Sequence, residues 1–330
     1  MPLWLVLVLA YLFEFANGWT DAPNSIATVV STKVLRPHHA VLMAGALNLV
    51  GALSGTAVAK TIAGGIVGGQ YVTLETVAAA VLAATVWAMT AQYFGLPSSE
   101  SHALVAGLLG AGFAAGGLSA LEWEGTRASL IGLVTSPVGG FVSGLVLMIL
   151  IYRLFRRVRR SAVSRVFGRA QVLSAAFMAF SHGTNDAQKT MGIITLALLL
   201  NRAGTGAGVP KEFGIPIWVI VSAALVMGLG TMVGGWRVVR TMGMRMTHLE
   251  PVQGFAAETG AATVITVAAR LGIPVSTTHA IGTSIMGVGA TRRFSAVRWG
   301  VAGQVVTAWI LTWPSCALLG YVLERGFKLV

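Results

Sequence analysis

The sequence predicts an all-α membrane protein of about ten hydrophobic segments, arranged as two inverted-topology repeats with broken helices and re-entrant hairpins. Three observations support this prediction: the composition, the lengths of the apolar segments, and two motifs that each occur twice. Of the 330 residues, 55% are hydrophobic and 10% are charged, and the mean hydropathy is +0.77. A soluble domain carries about 25% charged residues, so this composition excludes an ordinary soluble protein and a disordered one.

Ten apolar segments approach or exceed the length of roughly 20 residues that spans a hydrocarbon core. Their approximate limits are 2–35, 38–60, 73–94, 96–117, 127–152, 170–200, 215–236, 252–270, 273–291 and 295–323. The first segment lacks the charged start and small-residue cleavage site of a signal peptide, so we expect it to be retained. The longest polar stretch, Arg153 to Arg169, is too short to fold alone, and we expect no soluble domain.

The basic residues predict how the chain is oriented in a cell inner (plasma) membrane. If every segment crosses once and the Arg153–Arg169 loop is cytoplasmic, both termini lie outside. The inside set then holds 15 of the 23 lysines and arginines: Lys33, Arg36, Arg153, Arg156, Arg157, Arg159, Arg160, Arg165, Arg169, Arg237, Arg240, Arg245, Arg292, Arg293 and Arg298. The outside set holds Lys60, Arg127, Arg202, Lys211, Arg270, Arg325 and Lys328. Loops facing an anionic leaflet account for most of the net charge of +12 without a nucleic-acid partner.

Two motifs occur once in each half of the chain. FANGWTDAPNS at residues 15–25 and FSHGTNDAQKT at 180–190 share the pattern F-x-x-G-x-x-D-A, and GLPSSESHA at 95–103 matches GIPVSTTHA at 272–280. The chain is therefore interpreted as two repeats, 1–160 and 161–330, in one integrated membrane domain. Five segments per repeat would place the second repeat upside down relative to the first, as in many transporters. If the segments 96–117 and 273–291 are re-entrant hairpins, they do not cross the membrane, and the number of crossings in each repeat must be recounted.

Asp21 and Asp186 each lie inside an apolar segment, where a lone charge costs at least about 2.5–3.5 kcal/mol. We expect Gly18 and Gly183 to let the backbone leave the helix, and Pro23 to begin a new one. Unwound backbone with carboxylate and amide oxygens would then bind Na⁺ or a proton. The alternative is that each aspartate pairs with a lysine or arginine and holds helices together. The candidate coupling-ion residues are Thr20, Asp21, Asn24, Asn185 and Asp186, all but Thr20 being candidate Na⁺ ligands.

In the second motif pair, a Gly-Leu-Pro or Gly-Ile-Pro sequence is expected to end a helix, and the hydroxyl residues to start the next. A helix N-terminus offers free N–H groups and the positive end of the dipole, and so binds anions. Two such N-termini facing each other would surround a tetrahedral oxyanion, although a serine or threonine there also serves as an ordinary N-cap. The candidate anion-binding residues are Ser98, Ser99, Ser101, His102, Gln188, Lys189, Thr190, Ser276, Thr277, Thr278 and His279.

The pairs GWTDAPN/HGTNDAQK and GLPSSESHA/GIPVSTTHA resemble the inorganic phosphate transporter (Pit) family, bacterial and archaeal type, over nearly the whole chain. The resemblance implies a phosphate symporter driven by Na⁺ or H⁺, often dimeric, with no cofactor beyond the coupling cation and no enzymatic activity. The family's aspartate motifs fall on Asp21, Asn24, Asn185 and Asp186. Its Ser/Thr-His motifs fall on Ser98–His102 and Ser276–His279, making these residues candidates for binding phosphate.

Two positions depart from the family motif G-A-N-D-x-x-N. Thr20 replaces the first asparagine in the first repeat, and Lys189 replaces the last asparagine in the second. Because the Lys189 ammonium would supply a fixed positive charge, we hypothesise that one Na⁺ position is lost and that coupling uses H⁺ or fewer Na⁺. The alternative is that Lys189 is a structural ion-pair partner of a nearby carboxylate.

Other substrates and functions are weighed against phosphate symport. Near pH 7 phosphate retains a proton that it can donate to a carboxylate, whereas sulfate does not, so aspartates near the anion would favour phosphate. A sulfate permease of the same family is the runner-up. A channel is disfavoured because the polar residues gather at one internal site rather than along a pore. The sequence has no HExxH, G-x-S-x-G or P-loop motif, and a single cysteine, Cys316, excludes a cysteine-based metal site.

Two further glutamates lie at membrane depth, and a third lies in a hydroxyl motif. Glu14 and Glu258 are expected either to carry a coupling proton or to pair with a lysine or arginine. Glu100 stands inside a hydroxyl motif and is expected to face out of the site.

Overall fold

The structure is a computed structural model that describes residues 1–64, 66–203 and 213–329, so Lys211, expected on the outer side, lies outside the described residues. Regular structure in the described part of the chain is helical apart from one isolated β-bridge, between Val67 and Leu121. Twelve α-helices are described: α1 Leu3–Ser31, α2 Pro37–Ala52, α3 Ala57–Gly64, α4 Leu74–Phe94, α5 Glu100–Gly116, α6 Trp123–Phe155, α7 Arg160–Ala203, α8 Ile217–Val233, α9 Trp236–Arg240, α10 Pro251–Arg270, α11 Thr277–Ala290 and α12 Trp299–Phe327. Helix α9 continues as a five-residue π-helix, Thr241–Arg245.

Each predicted segment coincides with one helix or with one bent pair of helices. The second segment contains α2 and the start of α3, which are bent by 70°. The seventh contains α8 and ends where Trp236–Arg245 begins, at a bend of 59°. By length and composition, five helices of the described residues qualify as membrane spans, or up to seven if each bent pair counts as one. Helix α11 has 14 residues and is about 21 Å long, less than the thickness of a hydrocarbon core. The protein is thus an all-α, multi-pass membrane protein.

The prediction that the backbone unwinds at the aspartate motifs is wrong. Helix α1 is continuous through Gly18 and Pro23, and the 44-residue α7 is continuous through Gly183. The two glycines instead permit close packing between helices. A Cβ at Gly18 would lie 2.4 Å from the Met227 carbonyl oxygen of α8, and one at Gly183 would lie 2.2 Å from the Asn48 carbonyl oxygen of α2. Backbones approach this closely in membranes where a side chain is missing.

The packing of Gly183 makes a testable prediction about stability. Gly183→Ala should destabilise the protein by about 1–3 kcal/mol, because the new methyl group meets a backbone carbonyl that cannot move freely. The matched control is Gly168→Ala in the same helix, where a Cβ has no neighbour within 4 Å and alanine favours the helix. Thermal unfolding in detergent should show a lower midpoint for the first variant only; equal midpoints would contradict the packing role.

Helices of the two halves pack against each other in matching pairs. Helix α1 packs on α8 as α7 packs on α2, and α5 packs on α12 as α11 packs on α6. The contact between α1 and α7 joins the first helix of each half. The opposite membrane orientation of the two repeats stays a prediction.

The apolar core is divided into two clusters that lie at opposite ends of α1 and α7. One cluster contains Val6–Phe13 side chains of α1 and the end of α7 from Ala187 to Ala197, and the other contains Ile26–Val29 of α1 and Phe167–Ala179 of α7. Buried polar residues occupy both helices between these clusters. These polar residues therefore lie between two apolar clusters.

Candidate functional site

All four motifs converge on one buried polar site. The middle of α1 supplies Asp21, the middle of α7 supplies Asp186, and the N-termini of α5 and α11 supply the hydroxyl residues. Asp186 is completely buried and the exposed fraction of Asp21 is 4%. Both carboxylates thus depend on protein groups rather than on bulk water for hydrogen bonds.

The N-terminus of α11 joins the two aspartates. The Thr278 hydroxyl donates to Asp21 Oδ1, and the Thr277 hydroxyl donates to Asp186 Oδ2, each at 3.0 Å. The Asn24 amide donates to both threonine hydroxyls, at 3.2 Å to Thr277 and 2.9 Å to Thr278. Adjacent residues of one helix terminus therefore connect the aspartates of both halves.

The helix starts predicted after Gly-Leu-Pro and Gly-Ile-Pro are confirmed, with Ser99 and Ser276 as the N-caps of α5 and α11. The Ser99 hydroxyl accepts from the His102 backbone N–H at 3.3 Å, and the Ser276 hydroxyl accepts from that of His279 at 3.1 Å. For these two serines the ordinary capping alternative describes the contact in the structure.

The loop before α11 links the two hydroxyl motifs to α7. The Ser101 hydroxyl of α5 donates to the Val275 carbonyl at 3.0 Å, and the Asn185 amide donates to the same carbonyl at 2.9 Å. Asn185 also donates to Asp186 Oδ1 at 2.8 Å. The loop is therefore fixed from both halves of the chain.

His182 is a site residue that the sequence reasoning missed. Its Nε2 lies 2.9 Å from Asp186 Oδ2 and 4.0 Å from Asp21 Oδ2, so the ring stands between the two carboxylates. One ligand atom from each of these three residues lies within 4.8 Å of the others, close enough to bind one cation. The signal available in the sequence is spacing, since His182 precedes Asp186 by four residues and so shares a helix face with it.

The contacts of the His182 ring define how the ring is oriented. The Thr231 hydroxyl donates to the Met227 carbonyl and accepts from the Asn48 amide nitrogen, which turns the Asn48 amide oxygen toward His182. That oxygen lies 3.0 Å from Nδ1, so Nδ1 carries a hydrogen. Nε2 lies 2.9 Å from Asp186 Oδ2, although its alignment is not that of a hydrogen bond. The ring is therefore anchored on α2 through Nδ1, and Nε2 faces the two carboxylates.

Lys189 forms a buried ion pair with Asp186 Oδ1, one turn further along α7. The structural alternative foreseen for this lysine is thus present. The same contact places a fixed positive charge on the carboxylate to which a cation would bind.

The expectation that Glu100 faces out of the site is wrong. Its side chain is buried and Oε1 accepts hydrogen bonds from the Thr20 hydroxyl at 2.8 Å and from the Ser98 hydroxyl at 3.3 Å. Glu100 is the first residue of α5, and α5 begins inside the protein, so its first turn has no outward side. A carboxylate at this end of the helix is also favoured by the helix dipole.

Two predicted site residues make their contacts elsewhere. The Gln188 side chain accepts from the Val58 backbone N–H at 2.8 Å and so caps the start of α3. Thr190 donates to the Glu14 carboxylate. Glu258 accepts from Thr28, Ser174 and Gln171. In the described part of the chain neither Glu14 nor Glu258 pairs with a lysine or arginine, which leaves proton binding as their other expected role.

His102 and His279 contact each other across the two hydroxyl motifs. Their ring centroids lie 4.7 Å apart in an edge-on arrangement. His279 also packs on Trp309 at 3.9 Å and His102 on Trp313 at 5.6 Å, both tryptophans being in α12. These contacts hold the starts of α5 and α11 together.

Comparisons with known proteins cover the whole of this site. Residues 17–320 match the model of the phosphate transporter family. The chain is 47% identical over 326 residues to a "probable low-affinity inorganic phosphate transporter" of Rhizobium meliloti, covering 98% of this chain and 96% of that protein. A Bacillus subtilis protein of the same description is 41% identical over 322 residues, covering 96% and 95%. Neither relative is described as a sulfate permease.

A solved structure shows the same fold. It is titled "The sodium-dependent phosphate transporter", and it matches with a TM-score of 0.91 and 26% identity over 99% of each chain. The family match includes three of the motifs and residues 17–25 of the first, and the relatives are covered over nearly their full length. With the motifs, the fold and the full-length relatives in agreement, the chain belongs to the phosphate transporter family.

Proposed function

We propose that the protein is a secondary symporter that imports inorganic phosphate by alternating access around the Asp21–His182–Asp186 cluster. The observation that carries the proposal is the convergence of aspartates and hydroxyls from both halves on one site between two apolar clusters. A channel needs a continuous polar path, whereas here apolar clusters lie on either side of the site along α1 and α7.

Phosphate would bind at the N-termini of α5 and α11. Hydroxyl and backbone N–H donors there suit an oxyanion, and Ser98, Ser101, Thr277 and Thr278 are the side chains at hand. Thr277 and Thr278 now donate to Asp186 and Asp21. A proton or cation bound to these carboxylates would weaken their hold on the hydroxyls, which are then free to donate to phosphate. Binding of the coupling cation and of the anion are thereby linked. A carboxylate that stays ionised and faces the proton of phosphate disfavours sulfate.

We infer that the coupling ion is H⁺ rather than Na⁺ at the position beside Asp186. Lys189 already places a positive group there, and His182 lies beside the same carboxylate, where it can accept or release a proton. A sodium site needs oxygen ligands that are not neutralised by an ammonium.

Uptake of labelled phosphate into proteoliposomes tests the coupling directly. A pH gradient alone should drive accumulation, and a Na⁺ gradient alone should drive several-fold less. Excess sulfate should compete weakly with phosphate. Strict dependence on Na⁺ would overturn the assignment of H⁺, and equal competition by sulfate would overturn the choice of substrate.

The proposal also includes the location and the orientation: the protein lies in the cell inner (plasma) membrane with both termini outside. Like members of the family that are dimeric, it is proposed to form a dimer. Ser161 is exposed at the start of α7, in the loop proposed to be cytoplasmic, whereas the natural Cys316 is buried. Ser161→Cys should therefore react with a membrane-impermeant maleimide only in inside-out vesicles, and the unchanged protein should react in neither orientation. Labelling of right-side-out vesicles would reverse the orientation.

A further inference from the structure

A cavity of about 400 Å³ lies where α4 ends, at residues outside the transport site. Its wall contains Arg237, Arg240 and Arg245, which come from α9 and from the π-helix that follows it. No carboxylate lines this cavity. Among the described residues, none of the three arginines lies within 4.0 Å of a carboxylate oxygen.

The cavity lies at the level expected for a membrane surface, at the end of a membrane-spanning helix. Helix α4 qualifies as a membrane span over Leu74–Phe94, and the cavity begins at Phe94. Phe94 and Trp236 line it and are exposed, as is the neighbouring Tyr93. Aromatic side chains of this kind gather at the level of the lipid headgroups. Basic pockets between helices at this level bind the phosphate of anionic lipids.

A second basic cavity, lined by Arg292, Arg293 and Arg298, offers a useful contrast. There Arg292 is already paired with Glu250, and none of the described residues that line the cavity is a tryptophan, tyrosine or phenylalanine. The cavity at the end of α4 thus combines three arginines free of described carboxylate partners with an aromatic rim.

The arginine cavity is attached to the hydroxyl motif of the first repeat. Thr241 donates to the Gly95 carbonyl at 2.8 Å, and Arg237 donates to the Tyr93 carbonyl while its guanidinium lies 5.1 Å from the centre of the Tyr93 ring. Gly95 is the first residue of GLPSSESHA and has a positive φ of 67°. A group bound between the arginines would therefore hold the end of α4 and the start of this motif together.

We propose that Arg240 and Arg245 bind a phosphate group at this cavity, supplied by the headgroup of an anionic phospholipid or by free phosphate. Arg237 shapes the site through its bond to Tyr93. The arginine fork suits phosphate oxygens, and the aromatic rim favours the lipid as the source.

Binding is tested on the purified full-length protein in neutral detergent by native mass spectrometry. The probes are short-chain phosphatidylglycerol, short-chain phosphatidylcholine and inorganic phosphate, each titrated separately. Arg240→Gln/Arg245→Gln should bind phosphatidylglycerol about tenfold more weakly than the unchanged protein, because two surface arginines are lost. Arg156→Gln/Arg157→Gln removes the same charge from the exposed loop after α6 and should bind like the unchanged protein.

A loss confined to phosphatidylglycerol identifies the lipid as the source, and a loss of one bound inorganic phosphate identifies the free anion. Equal binding by the test variant, the loop control and the unchanged protein in both arms overturns the proposal. If the glutamine variant does not fold, Arg240→Lys/Arg245→Lys is used instead, which keeps the charge but removes the planar guanidinium with its paired N–H donors. It should weaken phosphatidylglycerol binding about threefold, and unchanged binding by this variant counts against recognition by the fork.

A second readout rests on the proposed transport function. Phosphate uptake by the unchanged protein should be faster in vesicles with phosphatidylglycerol than in phosphatidylcholine vesicles, and the glutamine variant should lose this difference. Because the binding assay requires no transport, a protein that binds the lipid but does not transport phosphate would refute the proposed function alone.

Discussion

Asp21→Asn is expected to abolish gradient-driven phosphate uptake while the protein remains folded and in the membrane. The asparagine keeps an oxygen that accepts the Thr278 hydroxyl, so the contact between α1 and α11 survives. It cannot take up a proton or balance a cation, and the link between cation and anion binding is lost. We expect uptake to fall at least about 100-fold, which corresponds to about 2.7 kcal/mol.

The matched control for this prediction is Glu324→Gln. Glu324 is also a completely buried carboxylate, but it lies in α12, accepts from Thr76 and pairs with Lys328. Its replacement removes the same charge from the interior and should leave the coupling unchanged. Initial rates of labelled uptake, measured at equal amounts of folded protein, compare the two variants. Undiminished uptake by Asp21→Asn would remove the aspartate from the mechanism.

Lys189→Asn is expected to change which ion drives transport. Removal of the ammonium leaves Asp186 with His182 and opens one side of its carboxylate to a cation. Uptake driven by a pH gradient should fall about tenfold or more, and a Na⁺ gradient should begin to drive it. Removal of one partner of a buried ion pair also costs about 3–5 kcal/mol, so a lower unfolding midpoint is expected.

Sodium added to the folded protein provides a measurement that is independent of transport. Na⁺ should raise the unfolding midpoint of Lys189→Asn by mass action and leave that of the unchanged protein in place. Lys328→Asn serves as the control, because it removes a half-exposed lysine from the Glu324 pair at the far end of α12. If Na⁺ affects neither uptake nor unfolding of Lys189→Asn, the lysine has only a structural role.

The sequence identified several of the residues that meet at the site, although not His182. Both aspartates, Asn24, and the threonines at the start of α11 are in contact in the structure, and Ser99 and Ser276 begin their helices as predicted. These agreements share one cause. Polar residues inside apolar segments avoid lipid, so the duplicated ones are buried together at a common interior site.

The errors concern features that depend on distant parts of the chain. A glycine beside a polar motif is compatible with an unwound backbone and with close helix packing, because both need a missing Cβ. At Gly183 the structure shows close helix packing, because the Asn48 carbonyl oxygen would lie 2.2 Å from an added Cβ. Likewise, the direction of Glu100 depends on how deeply α5 begins, and the role of His182 depends on where Asp21 lies across the interface with α1.

The unbroken course of α7 has a mechanical consequence. Asp186 is fixed to a rigid rod whose first residue, Arg160, lies 26 residues away, or about 39 Å along the axis. A tilt of about 10° around Asp186 would leave the carboxylate nearly in place and move Arg160 by about 7 Å over the same helical length. A small rotation of α7 about Asp186 would therefore scarcely disturb bound ions, yet it would produce a large displacement at the arginine-rich end of the helix.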